Sequence, residues 1–551
     1  MSREIELKLE VDPDELPLVR QDPLLAGAES RTKHQVTVYY DTPETTLKKH
    51  GFTLRVRSVD GKYIQTIKPL TDSVGLVSRE EIESEVGSDN PDLSVLDGHP
   101  IHGLLTRGKG HSLEATIRSD VNRTSWMIDR RHGNASMQVD LDYGTITAGE
   151  HSEEFAEIEF ELIDGPPSSL VAAARRLSDH APVRLGVLTK AERGYMIAGN
   201  SLHKIHKAGP VDVNADMTIA EAFETIVHAC LKHYRLNEPL VIRKAKAEAL
   251  HQARVAMRRL RSAFTLFRPA IEDVEFQHLR QELRWFTSQL GDARNIDVYL
   301  ERDLELEERD RLTRLRERAY DGITDAMNSH RFRRLLIDLV GWAAVGAWRS
   351  SKRAQRSVAS FGNRRLDRLW QSITSAGRDI VGMDESTRHE LRIQGKKMRY
   401  AVEFLRGLYP HALAAEKRFA TSVEELQEAL GKLNDMATAK ELGAPAAGDG
   451  WLIGSIDERR HLAAAEEALR ELRRAGPFWR MHEAVEHADL TSRARALVSA
   501  ASRPRNVRKI FPSIDAEAGP PPALDHRRPG DRRNRGLDLH SAATNRDPEI
   551  D

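Results

Sequence analysis

Glu4, Glu6 and Lys8 alternate with Ile5, Leu7 and Leu9. In an extended chain this spacing puts two carboxylates and an ammonium on one face and aliphatic side chains on the other. One such segment is what any strand with a wetted face looks like. The construction recurs, however, through residue 162. Arg55 and Arg57 stand against Leu54 and Val56, Lys68 beside Ile67, and Arg118 beside Ile117. Arg79, Glu81 and Glu83 share a parity, Asp140 and Asp142 flank Leu141, and Glu157, Glu159 and Glu161 stand against Ile158, Phe160 and Leu162. If the aliphatic faces pack outward, the charged faces converge on a lumen, where charges of both signs need partners. Basic side chains from several strands suit the dispersed charge of a phosphate chain, and paired carboxylates offer oxygen ligands to a hard divalent cation. A glycine-rich phosphate loop, a His/Cys zinc spacing and a kinase signature set are missing, which sets the usual nucleotide scaffolds aside.

A second set of cations has helical spacing. At about 100° per residue, His251, Arg254, Arg258 and Arg261 fall within roughly a quarter of a helix circumference, opposite Ala253, Ala256, Met257, Leu260 and Phe264. His389, Arg392, Lys396 and Arg399, opposite Leu391, Met398 and Val402, repeat the arrangement. A single stripe of this kind is an ordinary solvated face. A duplicated one points to an anion, because like charges on one face repel unless something meets them. With a reference pKa of about 6.5, His251 and His389 suit either phosphate contact at low pH or ordinary hydrogen bonding. Neither stripe has a paired ligand at metal spacing. His228 and His233 read as structural, and Cys230, the single cysteine, as a small buried residue with no internal disulfide partner.

Positioning two such sets takes two architectures. Through residue 162 the period is mostly two, with turn signals at Asp60-Gly61 and Gly133-Asn134, so antiparallel β is expected. From about 217, runs such as 220–234, 248–267 and 388–405 carry the helical period, so the second half is expected to be all-α. That half also repeats itself: the His251-to-Arg261 pattern returns from His389 to Arg399, and Leu290-Gly291 returns as Leu430-Gly431, both near a 140-residue offset. The 551 residues exceed one hydrophobic core, and no run approaches the roughly 18 apolar residues of a membrane span. A net charge of −1 conceals an asymmetry, since residues 1–200 hold 33 acidic against 23 basic side chains and the remainder 51 against 60. The expected division is a tunnel domain at 1–200, a linker at 201–216, and a helical domain at 217–500 with repeat units of about 217–345 and 355–500. A Pro/Gly/Arg-rich tail at 501–551 is expected to be disordered.

Glu4-Ile5-Glu6-Leu7-Lys8 resembles the N-terminal ExExK motif of CYTH domains, the triphosphate tunnel metalloenzymes. Tyr39-Tyr40-Asp41-Thr42, Leu54-Arg55-Val56-Arg57, Thr66-Ile67-Lys68-Pro69, Arg79-Glu80-Glu81, Glu157-Ile158-Glu159 and Lys190-Ala191-Glu192-Arg193-Gly194-Tyr195 follow in that family's order. The resemblance covers roughly residues 1–200 and implies an eight-stranded antiparallel tunnel that hydrolyses or cyclises triphosphates with Mg²⁺ or Mn²⁺. It makes Glu4, Glu6, Glu157 and Glu159 candidate metal ligands, with Asp142 near the same site. Lys8, Arg55, Arg57, Lys68, Arg118 and Lys190 become phosphate contacts, and Glu81 and Glu83 stay alternatives for one carboxylate position. The helical half resembles a CHAD domain, the histidine-containing α-helical module often found behind CYTH. Its family role, binding inorganic polyphosphate, would fall to His251, Arg254, Arg258, Arg261, His389, Arg392, Lys396 and Arg399. The implied fold class is α+β multidomain, a β tunnel followed by two duplicated helical bundles.

Three functions compete: a metal-dependent inorganic triphosphatase whose helical half binds polyphosphate, a non-catalytic polyphosphate-binding or targeting protein, and a nucleic-acid binder. The intact charged set of the first half favours the enzyme, attacking a terminal phosphoryl group with metal-assisted water. No base is identified by the sequence. ATP and thiamine triphosphate stay open as organic alternatives. No recognition motif or interleaved aromatics support nucleic acid, so no specific nucleic-acid partner is expected, nor a membrane. The sequence sets no oligomeric state. The charged opening segment and the single cysteine lead to an expected cytoplasmic address, extended by the resemblance to polyphosphate granules.

Overall fold

The computed structural model describes residues 2–70, 74–96, 99–106, 112–129, 134–301, 304–377, 379–441 and 450–481. The chain divides into Met1–Ala488 and Asp489–Asp551, and the second unit lies outside the described residues. The expected helical-domain end near 500 and the expected tail at 501–551 lie there too, and the turn at Gly133-Asn134 falls partly outside.

The strands are β1 (Ser2–Glu10), β2 (Ser30–Asp41), β3 (Phe52–Val59), β4 (Lys62–Pro69), β5 (Leu76–Val86), β6 (Glu114–Ile128), β7 (Ser136–Ala148), β8 (His151–Asp164) and β9 (Arg184–Leu185). Their order is β5-β4-β3-β2-β6-β7-β8-β1-β9, and β1 also pairs with β5. Eight antiparallel strands therefore close into a ring, with the two-residue β9 added beside β1. Closure removes free edges and turns one face of every strand inward. Asp60 and Gly61, at φ of 50° and 77°, make the two-residue turn between β3 and β4.

Alternation decides the faces. Leu7, Leu9, Val139, Leu141, Ile158 and Phe160 point outward into the main core, while Tyr40, Leu54, Val56 and Ile67 form a second outer cluster. Three short helices, α1 (Leu16–Arg20), α2 (Thr46–Lys49) and α3 (Pro100–Thr106), accompany the ring, followed by α4 (Ser168–His180) and α5 (Lys190–Ala198). Helix α5 packs on the inner faces of β6, β7 and β8, where Ala191 and Ile197 join Tyr39, Ile117, Ile146 and Phe155. The approach needs glycine at 194, since a Cβ there would sit 2.4 Å from Ile117 Cγ2.

The helical half runs α6 (Ile219–Lys244), α7 (Ala247–Ile271), α8 (Phe276–Leu300), α9 (Leu306–Asn328), α10 (His330–Val345), α11 (Val358–Ala376), α12 (Glu385–Leu405), α13 (Leu413–Glu441) and α14 (Gly450–Ala475). Thr218 starts α6 with a capping box to Glu221, and Asp384 caps α12 through Thr387 N–H. The repeated sequence falls on α7 with α8 and on α12 with α13, and α7 meets α12. One continuous apolar cluster reaches from Leu7 and Phe160 through Phe223 and Phe264 to Phe419 and Trp479, so both halves share a core. Residues 201–216 carry no helix or strand, yet Val211 and Val213 are buried and His206 N–H donates to Asn237 Oδ1 at 3.1 Å. Among the described residues, no helix is long and apolar enough to cross a membrane.

Candidate phosphate and metal site

The inward faces of the ring enclose a cavity of about 230 Å³. Of the expected tunnel residues, Glu4, Glu6, Lys8, Arg55, Arg57, Lys68, Glu81, Glu83, Glu159 and Lys190 line it. Asp142 and Glu157 are buried behind that lining, and one carboxylate oxygen from each of Asp142, Glu157 and Glu159 lies within 4.8 Å of the others. These three come from neighbouring strands because Asp142 pairs with Glu157 and Asp140 with Glu159 in the β7–β8 register. Glu4 and Glu6 face the same cavity but stand outside this trio, Glu4 Oε2 being 4.0 Å from Lys68 Nζ. An all-oxygen set of converging carboxylates fits a hard divalent cation.

Cations surround the trio. Lys8 Nζ lies 2.8 Å from Glu159 Oε1 and 3.4 Å from Glu157 Oε1. Lys190 Nζ lies 2.8 Å from Asp142 Oδ2 and also pairs with Glu157. Burial opposes the charge on both lysines, but for Lys8 the carboxylates of Glu157 and Glu159, and for Lys190 those of Asp142 and Glu157, outweigh it and raise their pKa values. Conversely, Glu159 is held well below the ordinary carboxylate range, its burial outweighed by Lys190, Lys8 and Arg123. Burial pushes Glu161, with no such partner among the described residues, up to about 7, helped by Glu4 and Asp140.

Across the cavity Lys68 pairs with Glu81, whose other oxygen lies 4.0 Å from Arg55 Nη2. Glu83 accepts from Thr66 Oγ1 at 3.1 Å, so of the two carboxylates left open by the sequence, Glu81 sits among the cations. Burial, then Arg55 and Arg123, bring Arg57 down to about 10. Arg55 Nε is buried with no hydrogen-bond partner among the described residues, an orphaned donor on a residue that lines the cavity. The Arg79 side chain lies outside the described residues.

Arg118 requires correction. It is exposed on the outer face of β6, its Nη2 3.9 Å from Asp120 Oδ2, and it does not line the cavity. Arg123, five residues on and therefore on the opposite face, occupies the lumen instead. It donates to Asp142 (2.7 Å from both Nε and Nη2), Asp140 (2.6 Å) and Glu159 (2.6 Å). Around residue 118 the sequence lacks an apolar alternation that would mark the inner face. The usable signal was across the register, where Asp140 and Asp142 on β7 call for a cation on β6.

In the helical half the two stripes meet. Arg258 Nε donates to Tyr400 Oη (2.6 Å), to which Arg399 Nη2 also donates (3.0 Å). Arg254 Nη1 donates to Leu290 O (2.8 Å), Arg261 Nη1 to Thr287 Oγ1 (3.2 Å), and His389 Nδ1 lies 2.7 Å from Asn434 Oδ1. Arg392 Nε is buried without a partner among the described residues, and Lys396 lies on the same helix. Burial and the neighbouring Arg258 and Arg294 lower the pKa of Arg254, while burial with Arg284 and Arg280 lowers that of Arg261. Burial also lowers the pKa of His251, with Arg294, Arg258 and Arg254 opposing the help of Glu248. Sequence reasoning missed Arg280, Arg284 and Arg294 on α8. At the repeat's 140-residue offset they correspond to Ala420, Glu424 and Asn434, so no duplication flagged them. His233 Nε2 lies 3.0 Å from His206 O and 3.2 Å from Gln252 Oε1, and Cys230 is buried.

The CYTH domain family matches residues 2–195 and the CHAD domain family residues 225–444. A curated inorganic triphosphatase of Haemophilus influenzae is 30% identical over 210 residues, which are 36% of this chain and 55% of the relative. The chain thus spans about half the length of that relative. Among solved structures, the CHAD domain from the plant Ricinus communis is 28% identical, covering 50% of this chain and 96% of that one at a TM-score of 0.40. A Hippeastrum protein described as a putative adenylyl cyclase with a dominant triphosphatase activity is 19% identical, covering 36% of this chain and 97% of that one at 0.25. The chain therefore belongs to the proteins that join a CYTH domain, here residues 2–195, to a CHAD domain, here residues 225–444.

Proposed function

We propose that the tunnel is a divalent-metal-dependent hydrolase of inorganic triphosphate and that the helical half binds inorganic polyphosphate. The observation that carries the first part is the carboxylate trio Asp142, Glu157 and Glu159 inside a wall of cations, with Arg55 Nε lacking a partner among the described residues. Arg55, Arg57, Lys68 and Arg123 take the phosphate oxygens, while Lys8 and Lys190 sit between carboxylates and phosphate. Mg²⁺ or Mn²⁺, held by Asp142, Glu157 and Glu159 with Glu4 and Glu6 facing the same cavity, would supply Lewis-acid polarisation of a phosphoryl oxygen. Water adds to the terminal phosphorus, the bond to the bridging oxygen breaks, and pyrophosphate leaves with the electron pair while the water's proton passes to solvent. The cationic wall stabilises the charge that develops on the leaving oxygens. The name of the Haemophilus relative supports an inorganic substrate.

Phosphate release from tripolyphosphate, ATP and thiamine triphosphate, measured side by side with Mg²⁺, Mn²⁺ or EDTA, tests this. Faster release from either organic substrate would move the assignment to that compound, and no metal-dependent release from any of them would sink it. For the helical half, the arginines crowding α7 and α8 support a polyanion ligand. Polyphosphate binding that survives Arg254→Glu with Arg392→Glu would make these rows plain solvated surface, and equal affinity for single-stranded DNA at matched salt would favour nucleic acid.

A further inference from the structure

The first turn of α5 brings Lys190 to the carboxylate trio, and that turn is held by the helical half. Thr189 and Glu192 form a reciprocal cap: Glu192 N–H donates to Thr189 Oγ1 (3.2 Å) and Thr189 N–H to Glu192 Oε2 (2.8 Å). The remaining oxygen, Glu192 Oε1, receives Lys232 Nζ of α6 at 2.7 Å. Three residues along α6, the buried Arg235 donates from Nη2 to Glu10 Oε2 (2.8 Å), and Glu10 Oε1 receives Arg193 Nη2 of α5 (3.0 Å). Arg235 Nε also donates to Leu185 O of β9 (2.8 Å), and the next amide, Gly186 N–H, donates to Lys8 O (3.0 Å). Neighbouring cations on α6 thus grip α5, which carries Lys190, and the β1–β9 pair, which carries Lys8.

We infer that Lys232 and Arg235 of the helical half are positioning residues for Lys190 and Lys8, so that turnover in the tunnel depends on the helical half through these contacts. The inference rests on the reading of the tunnel as a triphosphatase. It differs from tethering, in which the helical half would act by holding a long substrate and would leave tripolyphosphate unaffected. Small displacements suffice, because misplacing a charged group by about 1 Å can cost up to about 100-fold in rate.

Arg235→Met takes a buried guanidinium away from Glu10 and Glu238, leaving them Arg193 and Arg184 as cationic partners, and is expected to disturb folding, so Lys232→Met in the full chain is the primary variant. Its kcat on tripolyphosphate should fall about 10- to 100-fold with KM little changed, and Lys232→Arg, which keeps the cation, should restore it. Arg175→Met is the control: it breaks a different contact between the halves, Arg175 Nε to Asp338 Oδ1 at 2.5 Å, and should lower thermal stability without lowering kcat. Hydrogen exchange gives a readout independent of activity, with the amides at 190–193 exchanging faster in Lys232→Met and unchanged in Arg175→Met. Wild-type kcat in Lys232→Met, an equal loss in Arg175→Met, or unchanged exchange at 190–193 would each overturn the inference. If the parent protein releases no phosphate, the triphosphatase reading fails by itself, and the exchange comparison still decides whether Lys232 positions α5.

Discussion

In the tunnel, Lys8, Lys68, Arg123 and Lys190 each lie against carboxylates from neighbouring strands. Along α7 and α8, the charged neighbours of Arg254 and Arg261 are mainly other arginines, with Asp292 the weaker opposing charge near Arg254, and backbone and hydroxyl oxygens accept from both. On the proposed function, the two regions would therefore present cations to phosphate under opposite conditions. Charges taken out of water on a closed sheet must balance one another, so a ligand entering the tunnel has to replace partners of both signs, which a metal–phosphate pair does. Cations on a helix surface keep solvent as their partner and accept any chain of negative charge, with an affinity that salt erodes. On that proposal, selectivity would belong to the first arrangement and capacity to the second.

The largest effect that would break this comparison is in the ring. Arg123→Met leaves Asp140, Asp142 and Glu159 without their shared guanidinium and should cost about 3–5 kcal/mol in chemical denaturation, as loss of one member of a buried ion cluster does. Arg118→Met, on the outer face of the same strand, should stay within about 0.5 kcal/mol. Similar losses for both would mean that the tunnel charges are not balanced as a set.

Metal removal comes next. With EDTA, phosphate release from tripolyphosphate should drop about 100-fold or more, the several kcal/mol that a metal supplies. Glu159→Gln, which removes one carboxylate of the trio, should show the same deficit with excess Mg²⁺ present, while circular dichroism stays that of the parent. Full turnover in that variant would detach the trio from the metal.

Salt sharpens the contrast more gently. Polyphosphate affinity of the full chain should fall steeply between 50 and 200 mM salt, by about tenfold for each few phosphates neutralised, and the dependence should flatten in Arg254→Glu with Arg280→Glu. The KM for tripolyphosphate in the balanced tunnel should move less over the same range. Equal salt slopes would erase the distinction between the regions.

The smallest expected effect is in pH. Burial, then Arg349, brings His228 down to about 4, below its unfolded value near 6.5. Such a depressed histidine adds no penalty above pH 6.5, and stability is lost as pH falls from 6.5 toward 4, because the unfolded chain binds the proton first. Between pH 7.5 and 5.5 the loss should be about 1 kcal/mol. Glu161, raised to about 7, shifts the opposite way, so the difference between the parent and His228→Asn isolates the helical part. Parallel melting-temperature profiles for the two proteins would show that His228 does not titrate on unfolding.

Much of the tunnel was legible because a strand's period of two is local. Glu4, Glu6, Lys8, Arg55, Arg57 and Glu159 follow from alternation alone, and the outward burial of Leu7, Leu54, Val56 and Ile158 is the same fact seen from the other side. Arg118 failed where alternation was weak, since Ser119, Asp120, Asn122 and Thr124 are polar on both faces and leave the inner parity unmarked. In the helical half, period 3.6 and the repeat located α7 and α12 correctly, whereas Arg280, Arg284 and Arg294 had no counterpart in the second copy to draw attention to them.

By itself, then, the sequence determined the two periods and the inward face of most strands, because each depends on residues within a few positions of one another, and the duplicated stripes and the charge asymmetry, because repetition and charge are read along the chain without reference to its folding. Tertiary structure alone decided which carboxylates meet as a trio, that Arg123 rather than Arg118 enters the lumen, and that Lys232 and Arg235 of α6 reach Glu192 and Glu10. Each of these depends on register between strands, or on the packing of α6 against the ring, over sequence separations that no local pattern spans.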